Sequence, residues 1–289
     1  METLNMDEYI ASLPHDILQI DISNKNLTRL PDLSRFTCLK TISCYNNQIT
    51  ALPNLPKNLK ILQCSNNRLT TLPALPEELE LISCDYNKIT ALPALPKNLK
   101  ILNCSNNHLT SLPVLPENIE WLSCYNNHLT SLPALPKELK YLTCFDNELT
   151  SLPDLPESLE EIVLDSNKLT VLPVLPKNLK EISCAFNHLT VLPTLPENLR
   201  TIKYHSNPVC NVIPYEDIYI TKHKVNVLNQ FRDLFYALKY KTKLRSWLWE
   251  KVRLHKIQTK FHPDYLKTQL ENEDVDLDEV MVHWIDEDA

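Results

Sequence analysis

Asparagine recurs every 20 residues without a slip from Asn47 through Asn67 and Asn87 to Asn207. A fixed period of this length over most of a chain specifies a solenoid, because each turn can bury its apolar face only against its neighbours. One full turn, Leu39 to Asn58, reads LKTISCYNNQITALPNLPKN. Turns of this kind continue to Asn198, after a longer first turn that starts at Ile17 and before a partial turn that closes at Pro208. The expected organisation is an N-terminal cap over residues 1–16, a solenoid over 17–208 and a helical C-terminal region over 209–289.

Within each turn the order is LxxLxCxxNxLTxLPxLP. Alternation around its first residues has period two, so it reads as a short strand with Ile42 and Cys44 inward and Thr41, Ser43 and Tyr45 outward. Stacked turns then build a parallel sheet. Cysteine fills one column from Cys44 to Cys184, and Leu164 replaces it in one turn. The position therefore asks for a small apolar group and uses no sulfur chemistry. A linear column with strands ~4.8 Å apart also cannot offer the four convergent ligands of a zinc site. The asparagine amide can both donate to and accept from backbone groups where the strand turns away. Glycine is absent from the chain, so backbone positions with positive φ fall to Asn, Asp or another tolerated residue, and the asparagine column is expected to serve them too. Two prolines in four residues, as in Leu52-Pro53 and Leu55-Pro56, exclude a helix on the far wall and make it extended or polyproline-like, with the leucines inward.

Charge carries a second, 40-residue beat. Lys57, Glu77, Lys97 and Glu117 alternate in sign, and Lys60, Glu80, Lys100 and Glu120 alternate in step with them. Stacking would set each beside opposite charges, which favours one register over its neighbours. Net charge is −7, so no global attraction to nucleic acid is expected, and no run approaches the ~20 apolar residues of a membrane span. The N-terminus lacks a signal-peptide core. Nine cysteines mostly in one column suit a reducing compartment better than a disulfide framework, so a cytoplasmic protein is expected. His108, His128 and His188 share a turn position with Gln48, Arg68, Lys88 and Glu148, which argues for exposed surface and against metal ligation.

The turn LxxLxCxxNxLTxLPxLP resembles the short leucine-rich repeats of effectors secreted by pathogenic bacteria, over Ile17 to Pro208. That resemblance implies an α/β-type repeat solenoid, right-handed, with a concave parallel β-sheet that holds a protein partner and an extended convex side. Some such effectors carry a C-terminal ubiquitin-ligase domain with a nucleophilic cysteine. Here the only cysteine after Pro208 is Cys210, beside the last turn, so a ligase is not expected. The tail WLWEKVRLHKIQTKFHPDYLKTQL, with the acidic stretch and VMVHW after it, resembles C-terminal segments of repeat proteins from giant DNA viruses of amoebae, which would place the protein in host cytoplasm. Its His262-Pro263-Asp264 follows a basic helical stretch and resembles the HPD signature of J-domain co-chaperones, but the preceding helix, Val225 to Leu238, abuts basic residues without the pattern of a J domain's first helix.

Partner-binding residues are expected on the outward strand positions. Adjacent turns place Trp121, Tyr125, Tyr141 and Phe145 together beside Ile101, and aromatic clusters of this kind make interface hot spots. The alternative use of such a cluster is to be covered by the chain's own termini. Helical spacing begins at Val225, with Leu228, Phe231, Leu234, Phe235 and Leu238 on one face, and further helices are expected over Lys243 to Lys260, from Pro263, and after Asp276. The basic stretch Lys239 to Lys260 can be neutralised by the acidic stretch after Glu271. No catalytic, cofactor or metal constellation stands out. The reading is a non-enzymatic scaffold holding a protein partner on its sheet. The alternative is an adaptor that links a bound target to a host ubiquitin-ligase or chaperone system through the helical region.

Overall fold

The computed structural model describes residues 6–214 and 216–232. The chain divides into two compact units, Met1–Asn229 and Gln230–Ala289, and all the described residues except 230–232 belong to the first. The helices expected from Lys243 onward, the basic and acidic stretches and the tail on which the viral expectation rests lie outside the described residues, as do Leu234, Phe235 and Leu238.

Ten strands of three residues each form one sheet in strictly sequential order. They are β1 (Gln19–Asp21), β2 (Thr41–Ser43), β3 (Ile61–Gln63), β4 (Leu81–Ser83), β5 (Ile101–Asn103), β6 (Trp121–Ser123), β7 (Tyr141–Thr143), β8 (Glu161–Val163), β9 (Glu181–Ser183) and β10 (Thr201–Lys203). Every pairing is parallel and pairs each residue with its equivalent in the next turn, for instance Trp121 with Tyr141 and Leu122 with Leu142. The middle residue of each strand is buried, and so are the ladder cysteines and Leu164. This is the solenoid that the 20-residue period specifies.

Asparagine side chains join the turns. Asn127 donates from Nδ2 to the carbonyls of Cys104 and Cys124, both at 3.1 Å, and its Oδ1 accepts the Leu109 N–H at 2.9 Å. The same bonds recur down the column to Asn207, whose Nδ2 reaches the carbonyls of Cys184 at 2.9 Å and Tyr204 at 3.0 Å. Each amide thus satisfies buried backbone groups on two successive turns where the strand has ended and no ladder partner remains. A second, exposed series runs along the other end of the turn, where Asn118 Nδ2 donates to the Lys97 carbonyl at 2.9 Å and Asn98, Asn178 and Asn198 make the equivalent bonds.

The positive φ falls one residue earlier than expected. Asn46, Asn66, Asn106 and Asn126 take φ of 50–54°, and the ladder asparagines themselves do not. The reason is that the ladder amide must point back under the strand, and the left-handed residue before it supplies that reversal. Tyr86 and Phe186 also occupy this left-handed position, at φ 52°, where a bulky side chain is unusual.

On the far wall, Leu52 and Leu55 pack against the core, and no helix or strand forms between Ala51 and Pro56. Each wall ends in a tight turn in which the proline carbonyl accepts an N–H three residues on, as from Leu59 to Pro56 at 3.1 Å. The Lys60 column forms the expected ion pairs: Lys60 to Glu80 at 2.5 Å, Lys140 to Glu120 at 2.6 Å. The Lys60 ammonium holds the Glu80 carboxyl below its ordinary range, through a hydrogen bond first and charge second.

Both ends of the first unit are closed differently from the repeats. At the start, helix α1 (Met6–Ser12) brings Ile10 into the core, and Arg35 donates to the carbonyls of Ile10 and Leu13 while lying 4.5 Å over the Phe36 ring. At the finish, Tyr204 takes the cysteine position, is fully buried, and donates its hydroxyl to the Pro214 carbonyl at 3.0 Å. Val209 and Ile213, in and after a short 3-10 helix over Pro208–Asn211, complete the closure. Helix α2 (218–232) starts seven residues before Val225, because Asp217 caps it by accepting the Tyr219 N–H at 2.8 Å. Its inward face carries Ile218, Thr221, Val225 and Asn229, whereas Leu228 and Phe231 are exposed.

Two outcomes follow from this packing. Asn127→Ala strands three buried backbone groups and should cost about 3 kcal/mol or more in denaturant unfolding, whereas Asn118→Ala on the exposed series should cost within about 1 kcal/mol. Burial pushes the Cys64, Cys84, Cys104 and Cys184 thiols upward and the Cys44 thiol to about 12, so these stay protonated and inert. Ellman's reagent should therefore label exposed Cys38 at once, half-buried Cys210 more slowly, and the seven ladder cysteines only as fast as the protein unfolds.

Candidate functional site on the sheet face

Because the strand side chains alternate, the sheet presents three outward columns, headed by Thr41, Ser43 and Tyr45. The middle column is small and polar through most of its length, with Ser83, Asn103, Ser123 and Thr143 in succession. Aromatic side chains on the outer columns stand on either side of that floor. Trp121 and Tyr141 meet with ring centroids 5.1 Å apart at 37°, and Tyr125 and Phe145 stack at 4.3 Å and 8°. Ile101 pairs with Trp121 in register on the preceding strand. The five residues singled out by sequence are therefore brought together on β5, β6 and β7 and the residues just after them. Trp121 is 47% exposed and Ile101 37%, while Tyr125, Tyr141 and Phe145 are partly covered by one another.

The outward positions are not uniformly open. Ser105, Ser123 and Ala185 are buried despite their parity, since small groups between larger neighbours lose their contact with water. Ser105 and Ser123 share a hydrogen bond at 2.8 Å. Asp85 accepts from the Ser65 and Ser83 hydroxyls, the latter at 2.9 Å, and Asp165 accepts from Ser183 Oγ at 2.7 Å and the Ala185 N–H at 2.6 Å. These aspartates knit neighbouring turns together.

Sequence parity missed two contributors. Tyr86 and Phe186 stand in the left-handed column, which looks like a turn position rather than a face, yet they are 54% and 57% exposed. The signal was two aromatics in a column otherwise made of Asn, Asp and Ser. Tyr86 lies beside the Tyr125 hydroxyl, whose pKa is raised mainly by burial, with the Asn106 side chain opposing the shift and Tyr86 adding to it. The aromatic patch thus reaches further toward the N-terminal turns than the outward columns alone indicate. A cleft of about 460 Å³ lies still nearer the N-terminus, between Tyr45 and Tyr86 over Gln63, Ser65 and Ser83, and does not include Trp121 or Phe145.

The histidine column is surface. His108 and His128 stack at 6.0 Å, and His128 lies 3.9 Å from Glu148, which is itself paired with Lys168 at 2.8 Å. Among the described residues no group of three or more His, Cys, Asp or Glu could hold a metal ion, and no helix is long and apolar enough to cross a membrane.

A Leucine Rich Repeat family model matches residues 98–119. Among solved structures the chain is similar to YopM from Yersinia enterocolitica WA-314, at 35% identity and TM-score 0.62 over 68% of this chain and 48% of that one. It is similar also to YopM, a leucine-rich effector protein from Yersinia pestis, at 34% identity and TM-score 0.53 over 68% of each chain. A third likeness is to the functional domain of InlJ from Listeria monocytogenes, which includes a cysteine ladder, at 25% identity and TM-score 0.59 over 66% of this chain and 44% of that one. The chain spans about half the length of the Yersinia enterocolitica protein it matches, 48%. No curated protein matches the sequence.

If the Tyr125 and Phe145 rings stabilise each other beyond the area they bury, a double-mutant cycle with Tyr125→Ala and Phe145→Ala should show a coupling of about 0.5–1.5 kcal/mol in denaturant unfolding.

Proposed function

We propose that this chain, which belongs to the leucine-rich-repeat family, is a non-enzymatic scaffold that captures a protein partner on the outward face of its sheet. The binding residues are Trp121, Tyr125, Tyr141 and Phe145, with Ile101 at the edge. One observation carries the reading: two aromatic pairs stand on a sheet face whose middle column is small and polar, with Trp121 47% exposed. Large apolar groups left facing water on a regular, rigid surface are what protein interfaces use as anchors. The family supports the same use, since a solenoid offers a long continuous surface. Nine free thiols, seven of them buried in one column, support a reducing cytoplasmic setting as part of this proposal.

Replacing Trp121 and Phe145 by Ser removes the anchor from each pair while leaving the buried middle column untouched. Affinity capture from cytoplasm with the wild-type chain should enrich a partner that the double variant loses, and the melting temperature should shift by only a few degrees. Retention of the partner, or loss of folding together with binding, would overturn the assignment.

A further inference from the structure

Across the outward columns of β2 to β9 and the residue two beyond each strand, no lysine or arginine occurs, while Asp85, Glu161, Asp165 and Glu181 do. The chain has 29 lysines and arginines in all, so their absence from eight successive turns of this face is a segregation, with the repeat lysines placed at its margins. The four acids are not equivalent. Asp85 and Asp165 are occupied by serine hydroxyls and, for Asp165, a backbone N–H. Glu161 and Glu181 form no ion pair among the described residues.

Their placement sets them side by side on the sheet face. Glu161 pairs in register with Glu181, setting two like charges on neighbouring parallel strands, ~4.8 Å apart at the backbone. In the neighbouring column the sign alternates at every step from Lys60 to Lys180. Glu161 also pairs in register with Tyr141, and Tyr141 with Trp121, so one outward column runs indole, phenol, carboxylate, carboxylate across β6 to β9. Lys203, on β10, pairs with Ser183 and forms no ion pair with Glu181.

We infer that the partner segment held on this face is basic, with an arginine whose side chain lies along Tyr141 and whose guanidinium sits between Glu161 and Glu181, while Trp121 anchors the neighbouring part of the segment. A guanidinium suits both halves of the column, since its plane stacks on aromatic faces and its fork of N–H groups donates to two carboxylates at once. Its charge relieves the repulsion of the glutamate pair. This inference rests on the scaffold reading and adds the chemistry of the partner.

The full chain is titrated with a fluorescein-labelled octapeptide of alternating Arg and Ser, and with the same peptide carrying citrulline for arginine, which keeps the shape and removes the charge. The arginine peptide should bind at least ten-fold more tightly. Glu161→Gln with Glu181→Gln should lose at least ten-fold of that affinity, whereas Glu77→Gln with Glu117→Gln, an equal change in net charge on exposed wall residues, should stay within two-fold. Glu181→Lys should also abolish binding without lowering the melting temperature, because it replaces a like pair by an opposite one. Equal losses in the two Gln variants, or equal binding of the citrulline peptide, would overturn the inference. If the glutamate variant still captures the partner that the Trp121/Phe145 variant loses, the scaffold reading stands and the basic segment falls. If the Trp121/Phe145 variant keeps its partner, both fall.

Discussion

Everything in the solenoid depends on the asparagine amide that reaches from one turn to the previous one. Three-residue strands supply few ladder bonds, and the backbone on leaving each strand is buried with polar groups that water cannot reach. Asn127 solves this by donating to the Cys104 and Cys124 carbonyls and accepting from Leu109, so one side chain closes two turns. No other uncharged side chain of this length both donates and accepts at one end. A turn of 20 residues is feasible because that amide replaces the hydrogen bonds a longer wall element would otherwise provide.

Once turns are locked in exact stacking, every position becomes a column, and each column must be compatible with its own repetition. Buried cysteine and leucine stack without penalty. From Lys60 to Lys180 the charges of one column alternate in sign, and Lys60 pairs with Glu80. Left-handed residues recur because each ladder asparagine needs one before it, and in a chain without glycine the cost falls mainly on Asn, Asp and Ser, which tolerate αL or bond locally. Tyr86 and Phe186 are exceptions that give up some of this ease and gain exposed aromatic surface. The ends, which have no further turn to stack on, abandon the repeat: Arg35 and Phe36 under α1 at one, Tyr204 under Pro214 at the other.

The same stacking turns the outward columns into a fixed template. Rings held on a parallel sheet lose little further freedom on binding, so an anchor such as Trp121 offers its area at low entropic cost. The columns also transmit position along the array, and the run from Trp121 through Tyr141 to Glu161 and Glu181 exists only because residues 20 apart in sequence are neighbours in register.

Sequence by itself determined the period, the parallel sheet, the inward and outward parity of Ile42, Cys44, Thr41 and Tyr45, the proline wall and the charge alternation, because all of these follow from one repeat unit that must pack on itself. It also brought the five face residues together, since their register is the period. Tertiary structure alone decided which backbone residue takes positive φ, why Ser105 and Ser123 are buried in spite of their parity, that Tyr86 joins the face, and where helix α2 begins. Those features depend on side-chain size and on hydrogen-bond direction between neighbouring turns, and a linear pattern contains neither.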